Sequence, residues 1–172
     1  MRRTGFGVLV IMLLVAAIVS VAGARASSGT PEAVATPATP GAVREVINEG
    51  EPESAPGEEL ALVRYVIDPG AHLPAHTHPG MQVNVVVSGT LHYTVVEGTA
   101  YYTPAAEAGT STVHELTSGQ SIDFKPGDSF VEPEGMVHFG ENLTSEPIVL
   151  LTASLFEEGE PPSTVAGATP DP

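Results

Sequence analysis

Residues 72–82 read HLPAHTHPGMQ and hold three of the chain's six histidines. Side chains alternate along an extended strand, so residues two apart share a face. His76 and His78 therefore point the same way if the segment is extended. Gln82 has the same parity and joins them if the turn at Pro79-Gly80 keeps the phase. A further imidazole, His138, follows a Pro133-x-Gly135 turn much later in the chain. Three neutral imidazoles and one amide oxygen form a nitrogen and oxygen donor set, which suits one divalent transition metal. Fe, Mn, Ni, Zn and Cu are equally compatible with it. The chain has no cysteine, which excludes iron–sulfur and cysteine-zinc sites.

Outward from this stretch, short runs of strand formers end repeatedly at turn residues. Leu60–Ile67 stops at Asp68-Pro69-Gly70, Gln82–Val87 at Ser88-Gly89, and Leu91–Val96 at Glu97-Gly98. Val113–Leu116, Ser121–Phe124, Ser129–Val131, Val137–Gly140 and Ile148–Phe156 complete the series. Such spacing, without a long amphipathic helix, predicts an all-β sandwich or barrel. Residues 98–112 carry the weakest pattern and are expected to form a long loop, with Tyr101 and Tyr102 on the rim. The expected domain is 58–156.

The flanks differ in composition. Residues 1–26 contain Arg2 and Arg3, an apolar run over 6–22, and the small-x-small triplet Ala24-Arg25-Ala26. This is the pattern of an export signal, either cleaved or retained as an N-terminal membrane anchor. Residues 27–57 are rich in Pro, Ala and Thr and read as a linker, although Val43–Ile47 has the composition of a short strand or helical turn. Residues 157–172 read as a disordered tail. Without residues 1–26 the chain keeps three bases, Arg44, Arg64 and Lys125, against 21 acids, a net charge of −18. Such a surface repels nucleic acid and anionic membranes. It fits a secreted or otherwise extracytoplasmic protein whose partner is a small molecule.

Two segments resemble the paired motifs of the cupin superfamily, in the single-domain form. In the first, Gly70, His76, His78 and Gly89 match a glycine, five residues, His-x-His and a closing glycine at every spacing, and Gln82 departs from the glutamate between them. In the second, Gly127, Pro133, Gly135, His138 and Asn142 match at every position. The resemblance spans about residues 60–156 and implies a jelly-roll, or double-stranded β-helix, barrel. It implies His76, His78 and His138 as metal ligands and Gln82 as a weaker fourth. The family usually has glutamate at that fourth position. An amide brings no charge to the ion where a carboxylate brings one. Gly70, Gly89 and Gly127 are expected at hairpin turns, Pro133 and Gly135 at the corner aiming His138, and Asn142 tying a turn through its amide.

Parity places Asn84 beside Gln82 and sets Tyr93 across the hairpin, so both are candidate pocket residues. Core packing is the competing reading for Tyr93. His72, His92 and His114 lie outside the motifs and are expected on the surface or rim. Glu132 and Glu134, close to His138 in sequence, are candidate general bases, with exposure on the turn the favoured reading. Activities implied by the resemblance are metal-dependent oxygenase chemistry, of dioxygenase type, or isomerisation and elimination. The alternatives are a non-catalytic barrel binding a small ligand or metal outside the cell, and a scaffold that keeps the motif for folding alone. Pairing of outer sheets into a homodimer would add burial to a core of modest size.

Overall fold

The computed structural model describes residues 41–167. Twelve strands follow in order: β1 (Ala42–Gly50), β2 (Glu58–Ile67), β3 (His72–Thr77), β4 (Gly80–Ser88), β5 (Leu91–Glu97), β6 (Thr99–Thr103), β7 (His114–Thr117), β8 (Ser121–Phe124), β9 (Ser129–Glu132), β10 (Val137–Glu141), β11 (Ile148–Glu157) and β12 (Thr164–Val165). One turn of 3₁₀ helix, Ala105–Glu107, links β6 to β7. A seven-stranded sheet runs β1-β2-β11-β4-β9-β6-β7 and a five-stranded sheet runs β12-β3-β10-β5-β8. Every pairing is antiparallel. The all-β jelly-roll barrel expected from the sequence is the observed fold.

Alternation sorts the side chains. In β2, Ala61, Val63 and Ile67 are buried while Leu60, Leu62 and Arg64 are exposed. In β4, Gln82, Asn84 and Val86 are buried while Met81, Val83 and Val87 face out. In β11, Ile148, Leu150, Thr152, Ser154 and Phe156 turn inward. The interior thus has an apolar part and a polar part. The apolar part holds Ile67, Val86, Tyr93, Val95, Phe124, Phe130, Ile148 and Leu150. Phe124 and Phe130 stack with ring centroids 4.4 Å apart, an aromatic pair worth about 1 kcal/mol beyond its burial. The polar part gathers along Ser154, Gln82 and Glu132, which lie side by side on β11, β4 and β9.

Three segments carry more structure than their sequences imply. β1 falls inside the stretch read as a linker. It pairs with β2 from Ala42↔Ile67 to Gly50↔Leu60, with a register shift between Val46 and Asn48. It is an edge strand, with one partner and a half-exposed face, so its apolar periodicity is weak. β6 falls inside the expected loop. Its inward position is Ala100, fully buried, too small to mark a strand by hydrophobicity; Tyr102 packs against the core while Tyr101 is exposed. β12 falls inside the expected tail and pairs Thr164↔Thr77 and Val165↔His76. Two residues give no readable period. The export signal expected over 1–26 lies outside the described residues.

The motif glycines do turn the chain. Gly70 and Gly127 sit in turns closed by Ala71 N–H to Asp68 O (3.1 Å) and Asp128 N–H to Lys125 O (2.9 Å). Gly89 has φ of 80°, and a Cβ there would lie 2.8 Å from the Pro147 carbonyl oxygen. Both facts favour glycine. Asn142 is fully buried. Its Nδ2 donates to the carbonyls of Ile67 (3.0 Å) and Glu146 (2.8 Å), and its Oδ1 accepts from the Thr144 hydroxyl (2.7 Å) and amide (3.1 Å). It ties the β10–β11 connection to the end of β2.

Candidate metal centre

His76 lies near the end of β3, directly opposite His138 on β10 in the antiparallel ladder. His78 follows just beyond β3. Gly135 takes φ of 72° in the turn before β10, a conformation that suits glycine, and the turn delivers His138 to the interior. The ring centroids lie 4.3 Å (His76–His138), 4.9 Å (His76–His78) and 5.2 Å (His78–His138) apart. One nitrogen from each ring falls within 4.8 Å of the other two, close enough for a single ion. His78 and His138 are buried and His76 is partly buried.

Hydrogen bonding decides which nitrogens are free. His76 Nδ1 lies 2.7 Å from the Pro74 carbonyl and His78 Nδ1 lies 2.6 Å from the Pro162 carbonyl. A carbonyl only accepts, so both rings carry Nδ1–H and leave Nε2 as a lone pair. That is how ligating histidines are commonly held. Burial, then the neighbouring His78, keeps His76 below the usual histidine pKa. Burial likewise holds His138 down to about 4, against the opposing pull of Glu132. These imidazoles are neutral at pH 7, the form that binds metal.

Glu132 corrects the sequence reading. It is not exposed on the turn but buried at the end of β9, on the same inward face as Phe130. Its Oε1 is 3.0 Å from His138 Nε2 and its Oε2 is 3.9 Å from His78 Nε2. Oε2 accepts from Asn84 Nδ2 (2.9 Å) and from Gln82 Nε2. Burial alone would raise the Glu132 pKa. The charges of His138 and His78 and the side chains of Gln82 and Tyr93 outweigh it and bring the group to about 2. Glu134 remains exposed.

Gln82 stands where expected, buried and facing the histidines. Its Nε2 also lies 2.9 Å from His78 Nε2, while its Oε1 is buried without a partner. Asn84 passes the restraint outward, since Thr152 Oγ1 donates to Asn84 Oδ1 at 2.6 Å. Tyr93 serves both readings made of it. Its ring belongs to the core and stacks on His138 at 5.2 Å and 26°. Its hydroxyl is buried beside Glu132 without a well-formed hydrogen bond, and burial, then the Glu132 charge, pushes its pKa well up. His72, His92 and His114 lie away from the centre, beside Glu141, Asp123 and Glu107 respectively.

The histidines open on a cavity of 310 Å³, at the small end of the range for ligand pockets. Its walls include Leu73, Leu91, Phe130 and Leu150, and also Arg44 and Tyr65. Pro161, Pro162, Ser163 and Val165 border it as well. The segment read as a tail therefore both lines the cavity and anchors His78. The donor set fits a metal on two grounds: three imidazole nitrogens converge, and a buried carboxylate faces them with no arginine or lysine bonded to it among the described residues.

The cupin family profile matches residues 38–164. The chain belongs to the cupin family. Over 94 residues this cupin is 32% identical to germin-like protein subfamily 1 member 4 of Arabidopsis thaliana, an alignment covering 54% of this chain and 36% of the relative. The chain thus spans little more than a third of that relative's length. Among solved structures it is similar to KdgF from Halomonas sp., at 22% identity and a TM-score of 0.45, over 67% of this chain and 79% of that one. It is also similar to an oxalate oxidase solved with the substrate analogue glycolate, at 20% identity and a TM-score of 0.48, over 81% and 62% of the two chains. The family assignment rests on the profile match and the strand topology.

Sequence reasoning placed Glu132 on an exposed turn and missed the 161–165 segment. The signal for Glu132 was present. Extending the Ser129–Val131 run by one residue puts Glu132 on the face of Phe130. The carbonyl of Pro162 left no such trace, because a backbone acceptor has no side-chain identity to read.

Proposed function

We propose that the chain is an exported cupin that holds one divalent transition ion on His76, His78 and His138 and acts on a small molecule in the adjoining cavity. The observation that carries this reading is the approach of three imidazole nitrogens within 4.8 Å, two of them freed by Nδ1 hydrogen bonds to carbonyls. A bound ion would supply Lewis-acid chemistry and, if redox-active, one-electron chemistry. The protein's part is to orient and to exclude water. Leu73, Leu91, Phe130 and Leu150 shape a largely apolar space around the substrate. Tyr93 holds the His138 ring by stacking, and Asn84 and Gln82 hold Glu132. Small-molecule oxygenase chemistry is the favoured reaction class, ahead of isomerisation or elimination.

Elemental analysis of the native protein tests the metal. About one equivalent of a transition metal is expected, lost in His78→Ala and in His138→Ala while far-UV circular dichroism is unchanged. Oxygen uptake against a panel of small enolic and phenolic compounds tests the reaction class. Turnover by the wild type and not by His138→Ala supports an enzyme. Tight metal binding without turnover favours the non-catalytic barrel, a reading that Gln82 in the fourth position keeps open. Export rests on residues 1–26, and N-terminal sequencing of the protein recovered from outside its cell tests it. Among the described residues no helix is long and apolar enough to cross a membrane.

We also propose a homodimer joined through the outer face of the larger sheet. Val43, Ile47, Leu60, Leu62, Met81 and Val83 are exposed there on β1, β2 and β4, and clustered exposed apolar side chains mark association surfaces.

A further inference from the structure

Gln82 occupies the position where the family's first motif places its acid, yet the polar interior is not short of a carboxylate. Glu132 sits directly across the β4–β9 ladder from Gln82, is 2% exposed, and among the described residues forms no hydrogen bond with an arginine or lysine. Its two oxygens are used differently. Oε2 is tied by the amides of Gln82 and Asn84. Oε1 takes no hydrogen bond from them and faces His138 Nε2 at 3.0 Å. One oxygen clamped by donors while the other is left to an imidazole nitrogen is the posture of a monodentate carboxylate ligand. The spacing is compatible with a shared ion: two donors each ~2.1 Å from it stand ~3.0 Å apart at right angles and ~3.4 Å apart at the tetrahedral angle.

We infer that Glu132 is the acidic ligand of the metal centre, supplied from β9 across the strand pair from Gln82, and that Gln82 is its positioning residue. This rests on the reading of the three histidines as metal ligands. The donor set becomes three imidazoles and one carboxylate, with the single negative charge moved by one strand. The ion keeps one charge of compensation, although an amide stands in the first motif. Gln82 then has two tasks: its N–H groups hold Glu132 Oε2 and, without metal, cap the His78 lone pair. Binding an ion at His78 Nε2 exchanges the second of these contacts for a metal bond.

The test is Zn2+ titration by calorimetry on the full chain, with visible absorption of the Co2+ form as an independent readout of its donor set. Four chains are compared: native, E132Q, E132D and the exchange variant Q82E/E132Q. Loss of an outer-shell partner weakens metal affinity ~10–100-fold. Loss of a ligand in E132Q is expected to weaken it by about 100-fold or more and to change the Co2+ spectrum. E132D keeps the charge but withdraws the oxygen by one methylene, so it should also bind weakly. Q82E/E132Q returns the acid to the first-motif position and should recover most of the affinity. Unchanged affinity and spectrum in E132Q overturn the inference while leaving the three-histidine site standing. Native-like affinity in E132D overturns it too, because the carboxylate would then act only as a distant charge. No Zn2+ binding by the native chain overturns both readings together.

Discussion

Gln82 and Glu132 face each other across the β4–β9 ladder, and the amide nitrogen of the first donates to the carboxylate of the second. One buried contact therefore joins the position where the family's acid is expected to the acid that is present. Glu132 in turn joins the larger sheet to His138, which hangs from the smaller one.

That contact makes acid sensitivity predictable. Burial holds His138 down to about 4 when folded, against an ordinary value near 6.5. Burial would raise Glu132, but His138, His78 and its amide donors bring it to about 2 when folded, against 4.5. In both cases the unfolded chain binds more protons across the interval between the two values, so stability rises with pH there. Stability of the metal-free protein should be full above pH 6.5 and fall continuously toward pH 2, the two groups titrating as a coupled pair. A shift of that size on His138 alone corresponds to about 3 kcal/mol. Urea unfolding at pH 7 and at pH 4.5 measures it, and equal midpoints would contradict the assignment.

Asn142 should be a stability residue and nothing more. Replacing it with alanine leaves the carbonyls of Ile67 and Glu146 without their side-chain donor in a fully buried site. The expected cost is ~2–4 kcal/mol, read as a lowered denaturation midpoint. Zn2+ affinity of the protein that remains folded should be unchanged.

Ending the chain at Glu160 should do the reverse. It removes the two-residue β12 and the Pro162 carbonyl that accepts from His78. Little core is lost, so the melting temperature should hardly move. His78 loses the partner that fixes its ring, and metal affinity should drop ~10–100-fold. Calorimetric titration beside a thermal melt separates the two effects.

The apolar outer face gives an association test. Sedimentation at micromolar concentration should find a dimer, and Leu62→Asp on the exposed face of β2 should yield a monomer with an intact barrel. A native chain that sediments as a monomer removes the proposal.

The sequence was most legible where one residue type must do one job. The histidine spacing, the turn glycines and Asn142 each have a local requirement that leaves a mark, and the parity argument placed Asn84 inward as observed. Legibility failed where a partner from elsewhere completes the structure. β1 and β12 are edges whose pattern is half exposed. β6 buries an alanine. Glu132 reads as part of a charged turn until β9 is extended by one residue and a neighbouring strand supplies two amides.

The walls of the cavity are drawn from both ends of the described chain. Ala42 and Arg44 come from β1, and Val165 from β12. A version trimmed to residues 58–156 would retain all the motif histidines and the aromatic stack, yet would be a vessel with two sides missing. Whoever shortens this protein for convenience, or fuses a bulky tag close behind Val165, will be altering the chamber itself and not its packaging.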